Sequence, residues 1–269
     1  MIAKYIKPLL LTALISLSAC SSDDDNSAES LSGENDLTIE FDNGFNGDDL
    51  LLGASTYTNS NGEVLTINRF NYLVSNFVLI DSEGNEYAYP KDDSYFVISE
   101  ENEMTEVHLT NIPAGEYVSV RFGLGVDQEK YQQGAEGQND AFLKTAEDNE
   151  MMWSWQAGYK FLNFEGSFTS ATVTEATDFK IHMGSHGTAL DNYREVEIAM
   201  PTAALVSSTL SPVVHLALDA NKILDGAHKI LLSEAAVVMV DEVKSPQIAE
   251  NATSMFRVDH VHNGENVDH

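Results

Sequence analysis

The chain has 269 residues, of which 43 are acidic and 14 are basic, and its formal net charge is −29 at pH 7. This charge is repelled by nucleic acid and by anionic membrane surfaces, so neither is an expected partner. Cys20 is the only cysteine, which excludes a disulfide within the chain.

The first 36 residues predict a lipoprotein leader followed by a tether. A basic start precedes the apolar run Leu9–Leu17, and Leu17-Ser18-Ala19-Cys20 resembles the lipobox cut by lipoprotein signal peptidase. We therefore expect residues 1–19 to be a signal peptide and Cys20 to carry the lipid. Residues 20–36 are polar and acidic, which predicts a flexible tether. The expected location is the outer membrane, on its periplasmic face or at the cell surface.

Residues 37–269 predict a mostly β fold, a single large β-sandwich with a few short helices. Runs of β-branched and aromatic residues predict strands at Leu37–Phe41, Phe70–Ile80, Glu86–Ile98, Glu106–Leu109, Glu116–Leu124, Trp153–Phe168, Asp178–Met183 and Tyr193–Met200. Helices are predicted over Ala141–Asn149, over Asp219–Leu224 and after Ser245-Pro246. Ile248, Ala249, Ala252, Met255 and Phe256 form an apolar stripe on that last helix.

An acidic loop after the first predicted strand is a candidate calcium site. Asp42, Asn46 and Asp48 place oxygen-bearing side chains close together around two glycines, which is a composition that Ca²⁺ accepts. The loop lacks the EF-hand spacing. A turn with solvated carboxylates is the alternative.

Both tryptophans lie in Met151–Phe161, and a histidine motif, Phe179-Lys180-Ile181-His182-Met183-Gly184, follows downstream. This pair of segments resembles the copper-binding MbnP family of lipoproteins, which includes relatives of kynurenine-containing copper proteins of methanotrophs. Further segments that resemble the family, in the same order, are Asn71–Asn76, Phe122–Asp127, Leu218–Ala220, Ile248–Asn251 and Asp259–Asn263. The acidic residues directly after Cys20 also resemble the surface-export signal of Bacteroidota lipoproteins; an ordinary polar linker is the alternative.

The resemblance implies a copper site that a modified tryptophan helps to form. In the family a tryptophan can be oxidised to kynurenine, which then holds copper together with histidines. An oxidising partner of the diheme peroxidase type is implied as well, with this chain as its substrate. Residues two apart on a strand share one face, so Trp153 and Trp155 would point the same way. We expect Trp153 to be the oxidised residue, and Trp155 remains the alternative. Trp155 also stands where some relatives carry a ligand histidine.

Four histidines are candidate copper ligands. His182 matches the family's histidine motif, and His186 could reach the same ion if the loop folds back across Gly184-Ser185. His260 and His262 match the family's terminal His-Val-His-Asn and would face one way on a strand. Imidazole suits copper in either oxidation state. The alternative for each is a structural or solvent-exposed histidine, which is also the prediction for His108, His215 and His228.

The sequence therefore predicts a cell-envelope lipoprotein that binds copper for acquisition, storage or delivery. It does not predict an enzyme, because the serine-elbow, phosphate-loop and His-Glu-x-x-His motifs are absent from the sequence. The main alternative is a surface module that binds glycan or protein through Trp153 and Trp155. A scaffold that has lost copper binding is a third possibility.

Overall fold

Two β-sheets form the body of the protein. The computed structural model describes residues 31–153 and 158–264. Within them the strands are β1 (Glu34–Phe45), β2 (Asp48–Asp49), β3 (Tyr57–Thr58), β4 (Val64–Asp81), β5 (Glu86–Ala88), β6 (Tyr95–Ser99), β7 (Glu106–Pro113), β8 (Gly115–Leu124), β9 (Leu162–Thr169), β10 (Thr177–Met183), β11 (Arg194–Val206), β12 (Val213–Asp219), β13 (Val237–Val238) and β14 (Phe256–His262). The α-helices are α1 (Gln128–Gln132), α2 (Asp140–Asp148) and α3 (Lys244–Ala252), and 3₁₀ turns occupy Lys91–Asp93, Gly134–Gly137, Ala220–Ile223 and Thr253–Met255.

The smaller sheet, called sheet 1 below, has the order β14-β12-β1-β2, and β7 also pairs with β1. The larger sheet, sheet 2, has the order β11-β8-β4-β9-β10-β13, and β3, β5 and β6 pair with β4. β1 pairs in parallel with β12, and β10 with β13, whereas the other strand pairs of the described chain are antiparallel.

The core lies between the sheets because their strands alternate. In β1, Ile39 and Phe41 are buried, whereas the neighbouring Glu40 is only partly covered and lies on the opposite face. The Phe41 ring meets Phe122 of sheet 2 at a centroid distance of 6.1 Å, and Phe122 meets Phe256 at 5.2 Å. Each buried phenylalanine contributes about 1.5–3 kcal/mol to stability through burial. The same alternation leaves the outer face of sheet 1 polar.

The predicted β-sandwich is confirmed, and α2 and α3 lie at the two longer predicted helices. β1 begins at Glu34, three residues before its predicted start and inside the segment expected to be a tether. The predicted strand Glu86–Ile98 is wrong as a single element: Pro90, which has no backbone N–H, leads into a 3₁₀ turn between β5 and β6. The helix predicted over Asp219–Leu224 is a 3₁₀ turn.

The strand predicted to begin at Trp153 is also wrong, because β9 begins only at Leu162. Glu150 has a positive φ of 56°, which turns the chain out of α2 and into a loop. β12 and β14 were not predicted. Among the described residues, no helix has the length and apolar character needed to cross a bilayer.

Candidate metal centres

Trp153 lies between α2 and β9 and is buried. An antiparallel bridge joins Met152 to Tyr159, and the Trp153 amide donates to the Gly158 carbonyl at 3.0 Å. These bonds hold the Trp153 side chain inside the protein, where only 4% of it is exposed. Trp155 lies outside the described residues, so its predicted role stays a prediction.

His182 packs beside this indole. β10 carries it, and the two ring centroids are 6.1 Å apart. The His182 Nε2 atom lies 2.6 Å from Oε1 of Glu165 on β9, and this hydrogen bond lowers the pKa of Glu165 below its ordinary value. A carboxylate that engages one imidazole nitrogen orients the ring and leaves the other nitrogen, here Nδ1, for a metal.

His186 packs beside the same indole, with a centroid distance of 5.3 Å. Its Nε2 atom is buried and has no hydrogen-bond partner among the described residues. Burial also lowers the pKa of this imidazole, which favours the neutral form that binds metals. A buried nitrogen without a partner is costly in a folded protein, and a bound metal ion is one way to satisfy it.

Gly184 allows the chain between these histidines to approach the tryptophan loop. A Cβ atom on Gly184 would lie 2.3 Å from the Tyr159 carbonyl oxygen and 3.4 Å from Nε1 of Trp153. Only glycine fits so close to backbone. The predicted return of the chain across Gly184-Ser185 therefore places both imidazoles beside one indole.

Hydrogen bonds fix this histidine loop to the rest of the sandwich. The Tyr131 hydroxyl donates to the Ser185 carbonyl at 2.8 Å, and the Asn192 side chain donates to the Gly184 carbonyl at 2.8 Å. Tyr131 belongs to α1, whose N-cap residue Asp127 accepts from the Asn76 side chain at 3.0 Å. Asn76 and Asp127 come from two of the segments that resemble the family, and the fold joins them under the site.

A cavity of about 770 Å³ opens beside Trp153 and His182. We call this cavity, together with His186 beside the Trp153 indole, the tryptophan pocket. Lys160 lies in its wall with Nζ 5.8 Å from the Trp153 ring centroid, at the distance of a cation–π contact, and burial lowers the pKa of this lysine. Met152 and Met239 add thioethers to the lining. Sequence reasoning missed Met239, which lies in no motif.

The other two predicted ligands, His260 and His262, lie on β14, on the outer face of sheet 1. The cross-strand neighbour of His260 is His215 of β12. One ligand nitrogen from each of these three histidines lies within 4.8 Å of the other two, and the described chain brings together no other such group of three or more His, Cys, Asp or Glu side chains. We call this group the histidine triad.

His215 was missed as a candidate ligand because β12 was not predicted. The alternation of Val213–Asp219, with Val214, Leu216 and Leu218 buried, is the signal that would have placed His215 on the polar face. His108 and His228 lie outside any such group of the described chain, and each contacts a glutamate, Glu106 and Glu250 respectively.

The tryptophan pocket and the histidine triad lie at opposite ends of the long strand β11. Asn192, which holds the histidine loop, precedes β11, whereas Asn263, next to His262, accepts a hydrogen bond from the Leu205 amide near the other end. Arg194 pairs with Leu124 of β8 and Leu205 pairs with Glu116. The eight residue steps between Leu124 and Glu116 correspond to roughly 25 Å at the usual rise of a strand. The four predicted histidine ligands therefore cannot share one ion.

The proposed calcium loop gains no support from the structure. Asn46 sits at the tip of a turn, where its amide donates to Asp219 and its side chain donates to the Thr58 carbonyl. Asp42 and Asp48 are exposed, and no ligand group of the described chain includes them. The arrangement is that of a turn with solvated carboxylates.

Imidazoles gathered in two places on a β-sandwich are a donor set that suits transition metals. The model of the MbnP family matches residues 34–241, and the chain belongs to this copper-associated family. Among solved structures it is similar to MbnP from Methylosinus trichosporium, with 14% identity, coverage of 77% of this chain and 81% of that chain, and a TM-score of 0.47. No curated protein matches the chain.

Proposed function

We propose that the protein binds copper in the tryptophan pocket and serves in copper acquisition, storage or delivery rather than in catalysis. The observation that carries this proposal is that both His182 and His186 pack beside the Trp153 indole, with centroids 6.1 and 5.3 Å away. The buried Nε2 of His186 has no hydrogen-bond partner among the described residues, so the side chains present fit a metal. Membership of the MbnP family supports copper as that metal.

Two imidazoles leave copper short of ligands, and a modified tryptophan would complete the set. An intact indole is a poor ligand because its nitrogen only donates a hydrogen bond. Oxidation that breaks the C2–C3 bond adds two oxygen atoms and gives N-formylkynurenine; hydrolysis then releases formate and leaves an aromatic amine. We propose that Trp153 undergoes this change, with Trp155 as the second candidate. Met152 and Met239 offer thioethers that would favour Cu(I).

The oxidation needs a partner. Two molecules of peroxide, used by an enzyme of the diheme peroxidase type and reduced to two molecules of water, would supply the four oxidising equivalents and the two oxygen atoms, and this chain would be the substrate of that enzyme. We further propose that the lipid on Cys20 holds the protein at the outer membrane, on the periplasmic face or at the cell surface. The formal charge of −29 supports the proposal that the protein does not bind nucleic acid and contacts the membrane only through this lipid.

The burial of Trp153 counts against the alternative, a module that binds glycan or protein through its tryptophans. A contact aromatic must reach the surface, but Trp153 is only 4% exposed and packs beside two histidines. That module would need Trp155, or another surface, to make its contact.

Native mass spectrometry of the protein purified from its own host tests the proposal, together with metal analysis and peptide mapping over Met151–Lys160. We expect bound copper and one tryptophan converted to kynurenine. Intact tryptophans and no copper, even after copper is added, would favour the binding module.

Variants separate a ligand role from a structural one. Loss of a residue that hydrogen-bonds to a metal ligand typically costs roughly 10–100-fold in affinity. His182→Ala should weaken copper binding by more than that, because it removes the ligand itself. His228→Ala is the matched control, because His228 forms the same type of pair with a glutamate at a more exposed position. Equal copper affinity of the two variants would contradict a ligand role for His182.

A further inference from the structure

We infer that the histidine triad, His215, His260 and His262, is a second metal site that binds a divalent transition-metal ion independently of the tryptophan pocket. Two strands and the bulge between them build it: His215 and His260 are cross-strand partners, and His262 follows two residues later on the same face. The inference goes beyond the proposed function, because it requires neither kynurenine nor the pocket.

The spacing of the nitrogens fits one ion. Nε2 of His260 and Nε2 of His262 lie 3.1 Å apart. Two nitrogens bound at about 2.0–2.1 Å to a single ion, at tetrahedral or square angles, lie about 2.9–3.4 Å apart. A nitrogen of His215 lies within 4.8 Å of both, and its ring stacks on that of His260 at a centroid distance of 4.1 Å. Binding of one ion by all three residues requires the stacked rings of His215 and His260 to rotate toward it.

Carboxylates hold two of the three rings in the tautomer that a metal needs. His215 Nδ1 lies 2.7 Å from Oε2 of Glu40, and His260 Nδ1 lies 3.0 Å from Oδ2 of Asp259. A carboxylate accepts the proton of Nδ1, so Nε2 keeps the lone pair that coordinates the ion. Glu40 is also the cross-strand partner of His215 on β1, so three neighbouring strands carry the ligands and their partners.

The donor set indicates the class of metal. Three neutral imidazoles without thiolate suit Cu²⁺, Zn²⁺ or Ni²⁺ and do not suit Ca²⁺ or Mg²⁺, which prefer oxygen. The side chain of His260 is 46% exposed, whereas that of His215 is 12% exposed. The site is therefore open to solvent on one side, and an ion held there keeps positions for water and can exchange.

The family model covers only part of the triad, because it includes His215. The family match ends at residue 241, before His260 and His262. Because the triad and the pocket lie at opposite ends of β11, we expect a variant in one to leave the packing of the other intact.

This site is tested by titration of the untagged protein with Cu²⁺ alone. Isothermal titration calorimetry and electron paramagnetic resonance monitor the binding. Zn²⁺ serves as the second probe. We expect a Cu²⁺ signal with coupling to several nitrogens and an affinity that His260→Gln and His262→Gln each lower more than about 100-fold, beyond the usual effect of an outer partner. His215→Gln should do the same, and Glu40→Gln should lower the affinity about 10–100-fold.

His108→Gln is the matched control, because His108 lies on the same sheet with its own carboxylate neighbour, Glu106, but outside the triad. It should leave the affinity unchanged. His182→Ala separates the two sites: it should lower copper binding in the pocket and leave the triad signal intact. If His260→Gln and His108→Gln bind Cu²⁺ alike, the ion is held outside the triad and the inference is wrong. Circular dichroism establishes that each variant is folded.

Discussion

Glu165 and His182, on neighbouring strands of sheet 2, join through a contact of 2.6 Å between Oε1 and Nε2. The glutamate side chain is 19% exposed and the histidine 7%, so water screens this pair little. A carboxylate behind an imidazole is the arrangement that orients a metal-binding histidine. Glu165 thereby links the sheet to the candidate copper site.

Glu165→Gln should lower the copper affinity of the pocket about 10–100-fold, because the neutral amide no longer fixes the His182 ring. Competition with a chelator that binds copper measures the change. Glu250→Gln is the matched control, since Glu250 contacts His228 at 2.8 Å on the surface. A copper affinity that stays the same in both variants would show that Glu165 does not position a ligand.

The stability of the protein should fall in acid, partly through Asp127. Burial alone would raise the pKa of this carboxyl, but hydrogen bonds from Tyr95, Asn76 and Lys91 lower it overall below 3.8. Because the pKa of Asp127 is lower in the folded state than in the unfolded state, its charge stabilises the fold at pH values above the unfolded-state pKa. This contribution is lost as pH falls through the folded-state pKa. Hydrogen bonds to a charged group contribute about 1.5–3 kcal/mol, so Asp127→Asn should lower the free energy of unfolding by about that amount at neutral pH.

Urea unfolding of Asp127→Asn beside the parent protein measures this effect. The difference between the two should narrow below about pH 4, where the parent carboxyl also takes up a proton. A difference that is constant across this range would mean that the charge of Asp127 does not matter.

His186 should titrate below 6.5, since burial lowers the pKa of its imidazole. Nuclear magnetic resonance of the ring nitrogens measures the midpoint. As pH falls, the imidazole takes up its proton in the unfolded chain before it does so in the folded chain. The contribution of His186 to the free energy of unfolding is therefore lost as pH falls from 6.5 through the pKa of the folded state. His186→Gln should remove this part of the pH dependence. A midpoint at or above 6.5 would contradict the burial of the ring.

Gly184→Ala should destabilise the protein by about 1–3 kcal/mol, because its methyl group would overlap the Tyr159 carbonyl oxygen. The loop that carries Trp153 must then move, so tryptophan fluorescence should shift together with the melting temperature. Gly264→Ala is the control, since no residue that the structure describes lies within 4 Å of a Cβ at that position. An unchanged fluorescence spectrum and melting temperature in Gly184→Ala would show that the structure accommodates a methyl group at this position, which would contradict the prediction.

The pocket was largely predictable because its parts lie in short motifs. The glycine in Phe179–Gly184 indicated a chain that folds back, and the structure brings His182 and His186 to one indole. The conformation of the Trp153 loop was not predictable from strand periodicity. The positive φ of Glu150 and the packing against Gly184 decide it, and both depend on residues far apart in the sequence.

The histidine triad was only half predictable. His260 and His262 share a motif, so their common face follows from the spacing alone. His215 joins them through the register of β12 with β14, which includes a bulge after His215. Sequence periodicity fixes which face of a strand a side chain takes, but not which strand lies beside it.

The length of β11 also determines how bound ions affect each other. Two metal ions at its ends would be roughly 25 Å apart, whereas salt screens charges beyond about 8 Å at physiological ionic strength. Occupation of one position therefore leaves the electrostatic energy of the other almost unchanged. If both proposed sites bind metal, we expect a single molecule to fill them in either order, without cooperativity, at the affinities that each set of ligands provides by itself.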